Sequence, residues 1–279
     1  MPTAGLSPSR AKDFSRCPLL FRLRAIDKLP EPRTYAQLKG ILTHTVLEQL
    51  FRLPPAERTV EQAISMVRPA VDDAVPPDDE LVQLVAQAGG VEKLVDDVSG
   101  LVRTDFDLED PRRLTPQALE LWVQATIGGR RGAPTMKVRG YIDRLDVAPG
   151  TGALRIVDYK TGKAPGPSHN YEALFQLRCY ALALWRSDGT VPAMLQLLYL
   201  AGGAVRREEP NVAGLERTEA RLLALWSGIV RCARTGEWPA APGPLCPWCY
   251  FKPRCPAFGG AAPLPPPDLL ERLGLEEEE

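Results

Sequence analysis

The sequence lacks the features that would place the chain in a membrane or outside the cell. None of its hydrophobic runs approaches the ~18 consecutive apolar residues that a membrane-spanning helix needs. The N-terminal segment is charged and interrupted by proline rather than signal-like, and no internal repeat is visible. With 279 residues, 44% hydrophobic and 25% charged, the composition is that of a globular protein. We therefore expect a soluble, cytoplasmic protein with no membrane segment.

The chain also lacks a net basic charge. Its formal net charge is −1, which argues against a uniformly basic nucleic-acid-binding surface. The distribution is uneven, because residues 1–60 contain 10 Lys/Arg and 5 Asp/Glu, residues 61–110 contain 3 and 13, and residues 111–267 contain 20 and 11. Two basic segments therefore flank an acidic one. This pattern permits phosphate binding and is equally typical of a solvated surface.

Turn residues and hydrophobic periodicity divide the chain into segments. Ser7 and Pro8 are typical of a helix start, and residues 40–52 have helical spacing that ends at Pro54. Acidic amphipathic helices are predicted next, followed by strands. The predicted segments are an N-terminal helical segment (1–58), an acidic helical insert (59–115), an α/β core (116–238), a cysteine-rich segment (239–260) and a disordered tail (261–279).

The α/β core is predicted to contain a mixed central sheet flanked by helices. Short runs rich in β-branched and aromatic residues predict strands from about residue 118 and at 138–147, 153–161 and 193–200. An amphipathic helix is predicted over 170–186, and a strand, helix, strand order implies a right-handed crossover. The turn at 149–152, by contrast, is short enough to join only an antiparallel hairpin.

The hairpin turn sets two aspartates against each other. If Ala148 faces Ala153, opposed residue numbers sum to 301, so Asp143 lies across from Asp158. Side chains alternate along a strand, so Lys160 shares the face of Asp158. Facing carboxylates repel unless a cation lies between them, and their hard oxygen atoms suit Mg²⁺ or Mn²⁺. A metal-activated water beside an ammonium group is hydrolysis chemistry, whereas the alternative is a set of solvent-facing strand residues.

Two helices carry polar pairs that share a helix face. His44 and Glu48 are spaced i,i+4, as are Gln176 and Tyr180. An imidazole beside two carboxylates completes a divalent-metal shell, although a single helical histidine is often structural. Gln176 and Tyr180 offer hydrogen-bonding groups for a phosphate or nucleotide, and they equally fit the polar edge of a core. Glu120 is a further candidate ligand, but no local pattern determines its direction.

Six cysteines in a chain expected to be cytoplasmic favour metal binding or catalysis over disulfides. Cys246, Cys249 and Cys255 form a C-x2-C-x5-C pattern in a loop, and Cys17, at a helix end before proline, is the best candidate for a fourth thiolate. The other two cysteines lie in apolar helical patterns, where buried thiols are ordinary. Four thiolates suit zinc or an iron–sulfur cluster, and the spacing leaves both open. A proline follows three of these four cysteines, which favours a 4Fe-4S cluster over zinc.

Six motifs, read in order, resemble those of the RecB-like exonuclease family within the PD-(D/E)XK superfamily. They are Leu6-Ser7-Pro8-Ser9 with Cys17-Pro18, Gly40-x3-His44-x3-Glu48, Gly140-Tyr141-Ile142-Asp143-Arg144-Leu145-Asp146, Asp158-Tyr159-Lys160-Thr161-Gly162, Gln176-x3-Tyr180 and the C-terminal C-x2-C-x5-C. The cysteine arrangement is also similar to that of the AddB nuclease and of CRISPR-associated adaptation nucleases, in which four such cysteines hold a 4Fe-4S cluster. The resemblance spans about residues 6–258 and leaves out the acidic region 60–115 and the tail.

The resemblance implies a restriction-endonuclease-like PD-(D/E)XK core with a helical insert and with termini joined by an iron–sulfur cluster. In such a protein the metal ligands would be His44, Asp143 and Asp158. Lys160 would assist catalysis, and Gln176 and Tyr180 would border the site. The cluster would be held by Cys17, Cys246, Cys249 and Cys255. Asp158 stands two residues before the lysine, so the aspartate form of the motif applies.

The leading hypothesis is therefore a metal-dependent DNA exonuclease that prefers single strands and acts in repair or recombination. The chain has no helicase P-loop of the form G-x4-G-K-[ST], so any unwinding would need a helicase partner. The alternative is a non-catalytic, Fe–S-stabilised DNA-binding subunit of a repair complex. A third hypothesis is a redox or electron-carrying Fe–S protein, for which the sequence identifies no electron partner.

Overall fold

The fold is an α/β sandwich with a mixed sheet at its centre, seen in a computed structural model that describes residues 5–75, 79–129, 135–166 and 170–275. Within those residues the strands are β1 (Gly5–Leu6), β2 (Pro116–Ile127), β3 (Met136–Val147), β4 (Leu154–Lys160), β5 (Met194–Tyr199) and β6 (Ala204–Glu208). The sheet order is β1-β3-β4-β5-β6, with β2 also paired to β3. The β1–β3 and β4–β5 pairs are parallel and the others antiparallel. The predicted mixed central sheet is thus confirmed.

The predicted hairpin register is confirmed where β3 and β4 pair. Arg144 lies opposite Val157, and Val147 lies opposite Leu154. At the turn, the Ala148 amide donates to the Ala153 carbonyl at 2.8 Å. Short β1 and β6, which sequence reasoning missed, complete the sheet.

Helices cover both faces of the sheet. One face is covered by α1 (Pro8–Arg16), α2 (Pro18–Phe21), α8 (Phe175–Asp188) and α9 (Val212–Thr235), and the other by α3 (Tyr35–Arg52), α4 (Val60–Ala74), α5 (Asp79–Gln87) and α6 (Val91–Leu108). Two further short helices are α7 (Asn170–Ala173) and α10 (Leu269–Arg272). The alternation of β5 serves both cores, because Leu195 and Leu197 enter the first and Leu198 the second. Among the described helices, none is long and apolar enough to cross a membrane.

The acidic insert forms part of the core rather than a separate unit beside it. Val98 and Val102 of α6 pack in the same buried cluster as Val157 and Leu198 of the sheet. Arg58 joins the two ends of the insert. Its guanidinium donates to the carbonyl oxygens of Leu53, Pro111 and Leu114 at 2.9, 3.1 and 3.0 Å.

The C-terminal tail differs from the expected disorder over the part that the structure describes, residues 261–275. Leu269 of α10 is 5% exposed and packs in the core. The Arg272 guanidinium donates to the Ile26 carbonyl at 2.9 Å, and that of Arg22 donates to the Pro263 carbonyl. These apolar contacts and hydrogen bonds hold a segment whose proline-rich and acidic composition alone predicts disorder. Residues 276–279 lie outside the described residues.

Candidate active site

The site is built where the alternation of β2 and β3 reverses. Leu119 packs against the cluster under α3, whereas Leu121, only two residues later, packs against the opposite cluster. Between them Glu120 has φ +46°, a left-handed conformation that a residue with a side chain adopts at a cost. The β2–β3 register pairs Leu119 with Arg144 and Leu121 with Ile142, so Glu120 lies across from Asp143. The Glu120 carboxylate is directed toward His44 of α3 and Asp143 of β3.

Helix α3 supplies the imidazole. Its start is determined by a capping box, in which Thr34 Oγ1 accepts from the Gln37 amide at 3.2 Å and Gln37 Oε1 accepts from the Thr34 amide at 2.9 Å. Three turns later His44 Nδ1 lies 3.4 Å from Asp143 Oδ2. His44 Nε2 is 3.1 Å from the Tyr159 carbonyl oxygen, which can only accept, so Nε2 carries the proton. The lone pair of Nδ1 then faces the carboxylate, as in a metal-ligating histidine.

Three side chains form a candidate metal site. One ligand atom each from His44, Glu120 and Asp143 lie within 4.8 Å of one another. Burial, and then the charge of Asp158, raise the pKa of Asp143 well above its usual value. Burial, and then Glu48, raise the pKa of Glu120. Because crowded carboxylates facing an unprotonated nitrogen are stabilised by a bound cation, this donor set fits a divalent metal, with two oxygens suited to Mg²⁺ or Mn²⁺.

Asp158 contacts Lys160 and Gln176, although the sequence analysis grouped it with Asp143 as a metal ligand. Its Oδ2 lies 2.5 Å from Lys160 Nζ, and its Oδ1 accepts from Gln176 Nε2 at 2.7 Å. The ladder of β3 and β4 ends at Arg144 and Val157, and beyond it Asp143 Oδ2 accepts from the Tyr159 amide at 2.9 Å. The group of three possible ligands thus contains Glu120, and Asp158 lies outside it.

Gln176 and Tyr180, predicted to share a helix face, meet beside Lys160. Gln176 Oε1 accepts from Lys160 Nζ at 3.0 Å, and Gln176 Nε2 is 3.0 Å from Tyr180 Oη. A β-carbon on Gly140 would lie 2.5 Å from the Tyr180 ring, so glycine there makes room for the tyrosine. Burial lowers the pKa of Lys160, but the carboxylates, Asp158 foremost, outweigh it and the net pKa is raised. The lysine therefore stays charged.

Two charged residues near the site were not assigned by sequence reasoning. Lys12 of α1 lies close enough to Lys160 and Asp158 for their charges to act on it. Partial desolvation, and then the charge of Lys160, lower its pKa. Nothing in the local pattern of α1 points to this placement. Glu48, on the α3 face of His44, pairs with Arg52 at 2.5 Å, so it lies beside the site without joining the ligand group.

The four selected cysteines converge at one place. Cys17, Cys246, Cys249 and Cys255 line a cavity of about 230 Å³. Two backbone amides point at sulfur atoms, since the Ala241 amide lies 3.4 Å from Cys17 Sγ and the Gly243 amide lies 3.2 Å from Cys246 Sγ. Cys179 and Cys232 are buried, as expected of core thiols. The fold thus brings residue 17 to the C-terminal cysteine segment, and four thiol groups surrounding one cavity fit a metal or cluster that thiolates bind.

Comparison with known proteins places the chain in a family. A 126-residue stretch is 29% identical to the Gene 69 protein of Mycobacterium phage L5 and covers 44% of this chain and 41% of that protein, so the alignment spans less than half of that relative's length. A crystal structure of a protein from Eubacterium rectale, provisionally named an exonuclease, superposes with a TM-score of 0.51 at 11% identity and covers 88% of this chain and 93% of the other. That likeness shows the fold. A further structure, SSO0001, has a TM-score of 0.37 at 15% identity over 71% and 85% of the two chains, too low to support an argument.

The sequence model of the PD-(D/E)XK nuclease superfamily matches residues 5–256. This match covers the helix that carries His44, the β2–β4 strands and the cysteine segment. The matched region thus includes the residues of the candidate site, and the chain belongs to the PD-(D/E)XK nuclease superfamily.

Proposed function

We propose that the chain is a RecB-like, divalent-metal-dependent DNA exonuclease that prefers single strands and acts in repair or recombination. The observation that carries the proposal is the meeting of His44, Glu120 and Asp143 beside a charged Lys160. Bound Mg²⁺ or Mn²⁺ would polarise the phosphodiester and lower the pKa of a water molecule. A helicase partner and a cytoplasmic location remain predictions.

In this proposal each side chain has a separate task. His44, Glu120 and Asp143 hold the metal, with Nδ1 free to bind because Nε2 donates to the Tyr159 carbonyl. We keep Asp158 as a predicted metal ligand because it lies near Asp143. Its carboxylate would then contact both the cation and Lys160. Lys160 is oriented by Gln176, so that its ammonium group stabilises negative charge on the phosphate oxygens.

The nuclease assignment is tested by incubating end-labelled single-stranded and duplex DNA with the purified protein and Mg²⁺ or Mn²⁺. We expect degradation that Asp158→Ala and Lys160→Met abolish. Asp72→Asn, which changes only an exposed carboxylate on α4, serves as the matched control and should cleave normally. Absence of cleavage by the unmutated protein, together with identical behaviour of Asp158→Ala, would contradict the proposal and favour the non-catalytic DNA-binding alternative. Separate 5′ and 3′ labels determine the polarity.

We also propose that the four cysteines hold a 4Fe-4S cluster. All four line one cavity, and four thiolates suit zinc or an iron–sulfur cluster. The resemblance to nucleases with four such cysteines, and the prolines that follow Cys17, Cys246 and Cys255, favour the cluster.

Spectra of the anaerobically purified protein separate iron–sulfur from zinc. We expect visible absorption and about four iron atoms per chain, because thiolate-bound iron absorbs in the visible range and zinc does not. Cys17→Ala should lose the absorption and lower the melting temperature, whereas Cys232→Ala, a core thiol outside the group, should keep the absorption. Stoichiometric zinc without visible absorption would contradict the cluster.

A further inference from the structure

An exposed aromatic pair lies across β2 and β3. Trp122 and Tyr141 are cross-strand partners, with ring centroids 4.9 Å apart and planes tilted by 59°. They are 46% and 53% exposed, although aromatic side chains of this size are usually well buried. Exposed aromatic patches of this kind mark interaction sites.

This pair is the next step along the strands from the candidate metal ligands. In the register, Trp122 and Tyr141 each lie two residues along the strand from Glu120 and Asp143, so the pair is beside the candidate metal ligands. Leu121 and its partner across the ladder enter the core under α8. Trp122 and Tyr141 therefore project from the opposite side of the sheet, on which α3 and His44 lie.

Basic residues continue the same surface away from the metal site. Arg139 lies opposite Gln124, and Lys137 lies opposite Thr126, so both alternate onto the side of Tyr141. Arg10 of α1 is close by, because burial and then the charge of Arg139 lower its pKa. In the part of the chain that the structure describes, Arg10, Lys137 and Arg139 have no carboxylate partner. We name Trp122, Tyr141, Gln124, Arg139, Thr126 and Lys137 the β2–β3 strip.

We propose that the β2–β3 strip binds a single-stranded segment of DNA next to the scissile phosphate, with Trp122 and Tyr141 stacking an unpaired base and with Arg139 and Lys137 contacting phosphates. This inference rests on the proposed nuclease function and names the structural basis of its strand preference. Aromatic side chains stack any unpaired base whatever its identity. Bases inside a duplex are already stacked on one another, so the strip selects single strands.

A second exposed aromatic surface is the competing candidate. Trp248 and Tyr250, in the cysteine segment, are 78% and 54% exposed and line a cavity of about 1060 Å³ with Ile41 of α3. In this groove Glu31 pairs with Arg24, and no strand register leads from it to the metal ligands. The β2–β3 strip has both the order of groups and the unpaired positive charge that a phosphate backbone needs.

The test measures binding without cleavage. The 279-residue chain, with the group bound to its cysteines as purified, is titrated in EDTA to remove divalent cations from the active site. The ligands are a fluorescein-labelled oligothymidylate of about 20 nucleotides and a blunt duplex of equal length. Trp122→Ala and Tyr141→Ala should each weaken single-strand binding about tenfold or more, because losing one stacking contact has an effect of that order. Their duplex binding should change less than about twofold. Trp122→Phe keeps a stacking surface and should bind the single strand nearly normally.

Salt dependence tests the basic end of the strip. Arg139→Gln should reduce the slope of log K against log salt concentration by about 0.7, the value for one lost phosphate contact on a single strand. Arg68→Gln, which removes an exposed arginine of α4 outside the strip, should leave the slope unchanged.

Three results would contradict the proposal that the β2–β3 strip binds single-stranded DNA. They are unchanged single-strand affinity in both alanine variants, an equal loss of affinity for the duplex, or a loss of single-strand affinity in Trp248→Ala instead. Melting temperatures of all variants test whether the pair only stabilises the hairpin, because in that case the loss of binding by each variant would follow its loss of melting temperature. Because binding is measured in EDTA, it is independent of catalysis. Failure of the unmutated protein to cut DNA with Mn²⁺ contradicts the proposed function, whereas normal cutting with unaltered strand preference in Trp122→Ala contradicts only the strip.

Discussion

Two groups of charged side chains lie beside β3, and they differ in how their charge is balanced. In the inner group, Arg144 pairs with Glu109 at 2.6 Å and with Asp146 at 2.9 Å, and Arg155 pairs with Asp146 at 2.7 Å. Burial, and then Glu109, raise the pKa of Asp105 to about 8, so this carboxyl is protonated at neutral pH. The guanidinium groups of Arg144 and Arg155 thus face two carboxylates and one neutral acid, and that of Arg58 lies near Arg144, so the carboxylates of the inner group are neutralised by arginine without any ligand.

The active-site group has no such balance among its own side chains. Glu120, Asp143 and Asp158 bring three carboxylates, Lys160 brings one positive charge, and burial lowers the pKa of His44, which keeps the imidazole neutral. Even with the nearby charge of Lys12 included, the carboxylates outnumber the ammonium groups, and a bound divalent cation would offset the excess. The comparison teaches that the buried carboxylates of the inner group have arginine partners, whereas those at the candidate active site have none among the described residues and are available to a metal.

The largest expected effect belongs to Asp143→Asn, which tests the active-site group. This change removes a charged metal ligand while keeping its shape, so we expect cleavage to fall by about a thousandfold or more. Stability in EDTA should be equal or higher, because repulsion from the neighbouring carboxylates is removed. The measurements are single-turnover cleavage rates and urea unfolding, with Asp72→Asn as the control. Cleavage within tenfold of the unmutated rate would remove Asp143 from the site.

The inner group should respond in the opposite way. Arg144→Met leaves two buried carboxylates without their main partner, so we expect the free energy of unfolding to fall by about 3–5 kcal/mol. Urea unfolding in EDTA measures it. The matched control is Arg68→Met, whose exposed ion pairs with Asp72 and Glu92 contribute little. A loss below about 1 kcal/mol for Arg144→Met would show that the inner group is not a structural element.

The protonated acid of the inner group predicts a pH dependence of stability. The pKa of Asp105 is about 8 in the folded chain and near 3.8 when unfolded. Its stabilising contribution is therefore full below pH 3.8 and is lost as the pH rises toward 8. Between pH 5 and 7 the unmutated protein should lose about 1 kcal/mol per pH unit relative to Asp105→Asn. Urea unfolding of both proteins across this range tests it, and a difference that is independent of pH would contradict a protonated Asp105.

Periodicity predicted the parts of the site that lie on regular structure. The short turn at 149–152 predicts the register of β3 and β4, which the structure has. The i,i+4 spacing predicts that Gln176 and Tyr180 share a helix face, and they meet beside Lys160. These arguments hold because a strand alternates every residue and a helix repeats every 3.6.

The remaining features depend on irregular backbone or on long-range contacts, which local patterns do not encode. Glu120 joins His44 and Asp143 because one left-handed residue reverses the alternation of β2, and a period-two argument assumes that no such reversal occurs. The inner group depends on α6, in the insert that matched no motif, packing near Arg144. The tail is ordered by contacts with residues more than 200 positions away.

The smallest expected effect concerns Glu120, where function and stability oppose each other. A left-handed conformation costs a residue such as glutamate about 1–2 kcal/mol, and asparagine tolerates it better. Glu120→Asn should therefore stabilise the protein by about 1 kcal/mol in EDTA. The same change removes a metal-ligating carboxylate, so Mn²⁺ should bind roughly tenfold more weakly or worse, as seen by calorimetry. Gln124→Asn, in ordinary strand backbone on β2, should give neither effect. If Glu120→Asn loses stability while keeping its Mn²⁺ affinity, the strained glutamate serves the hairpin and the metal is held by Asp158 in its place.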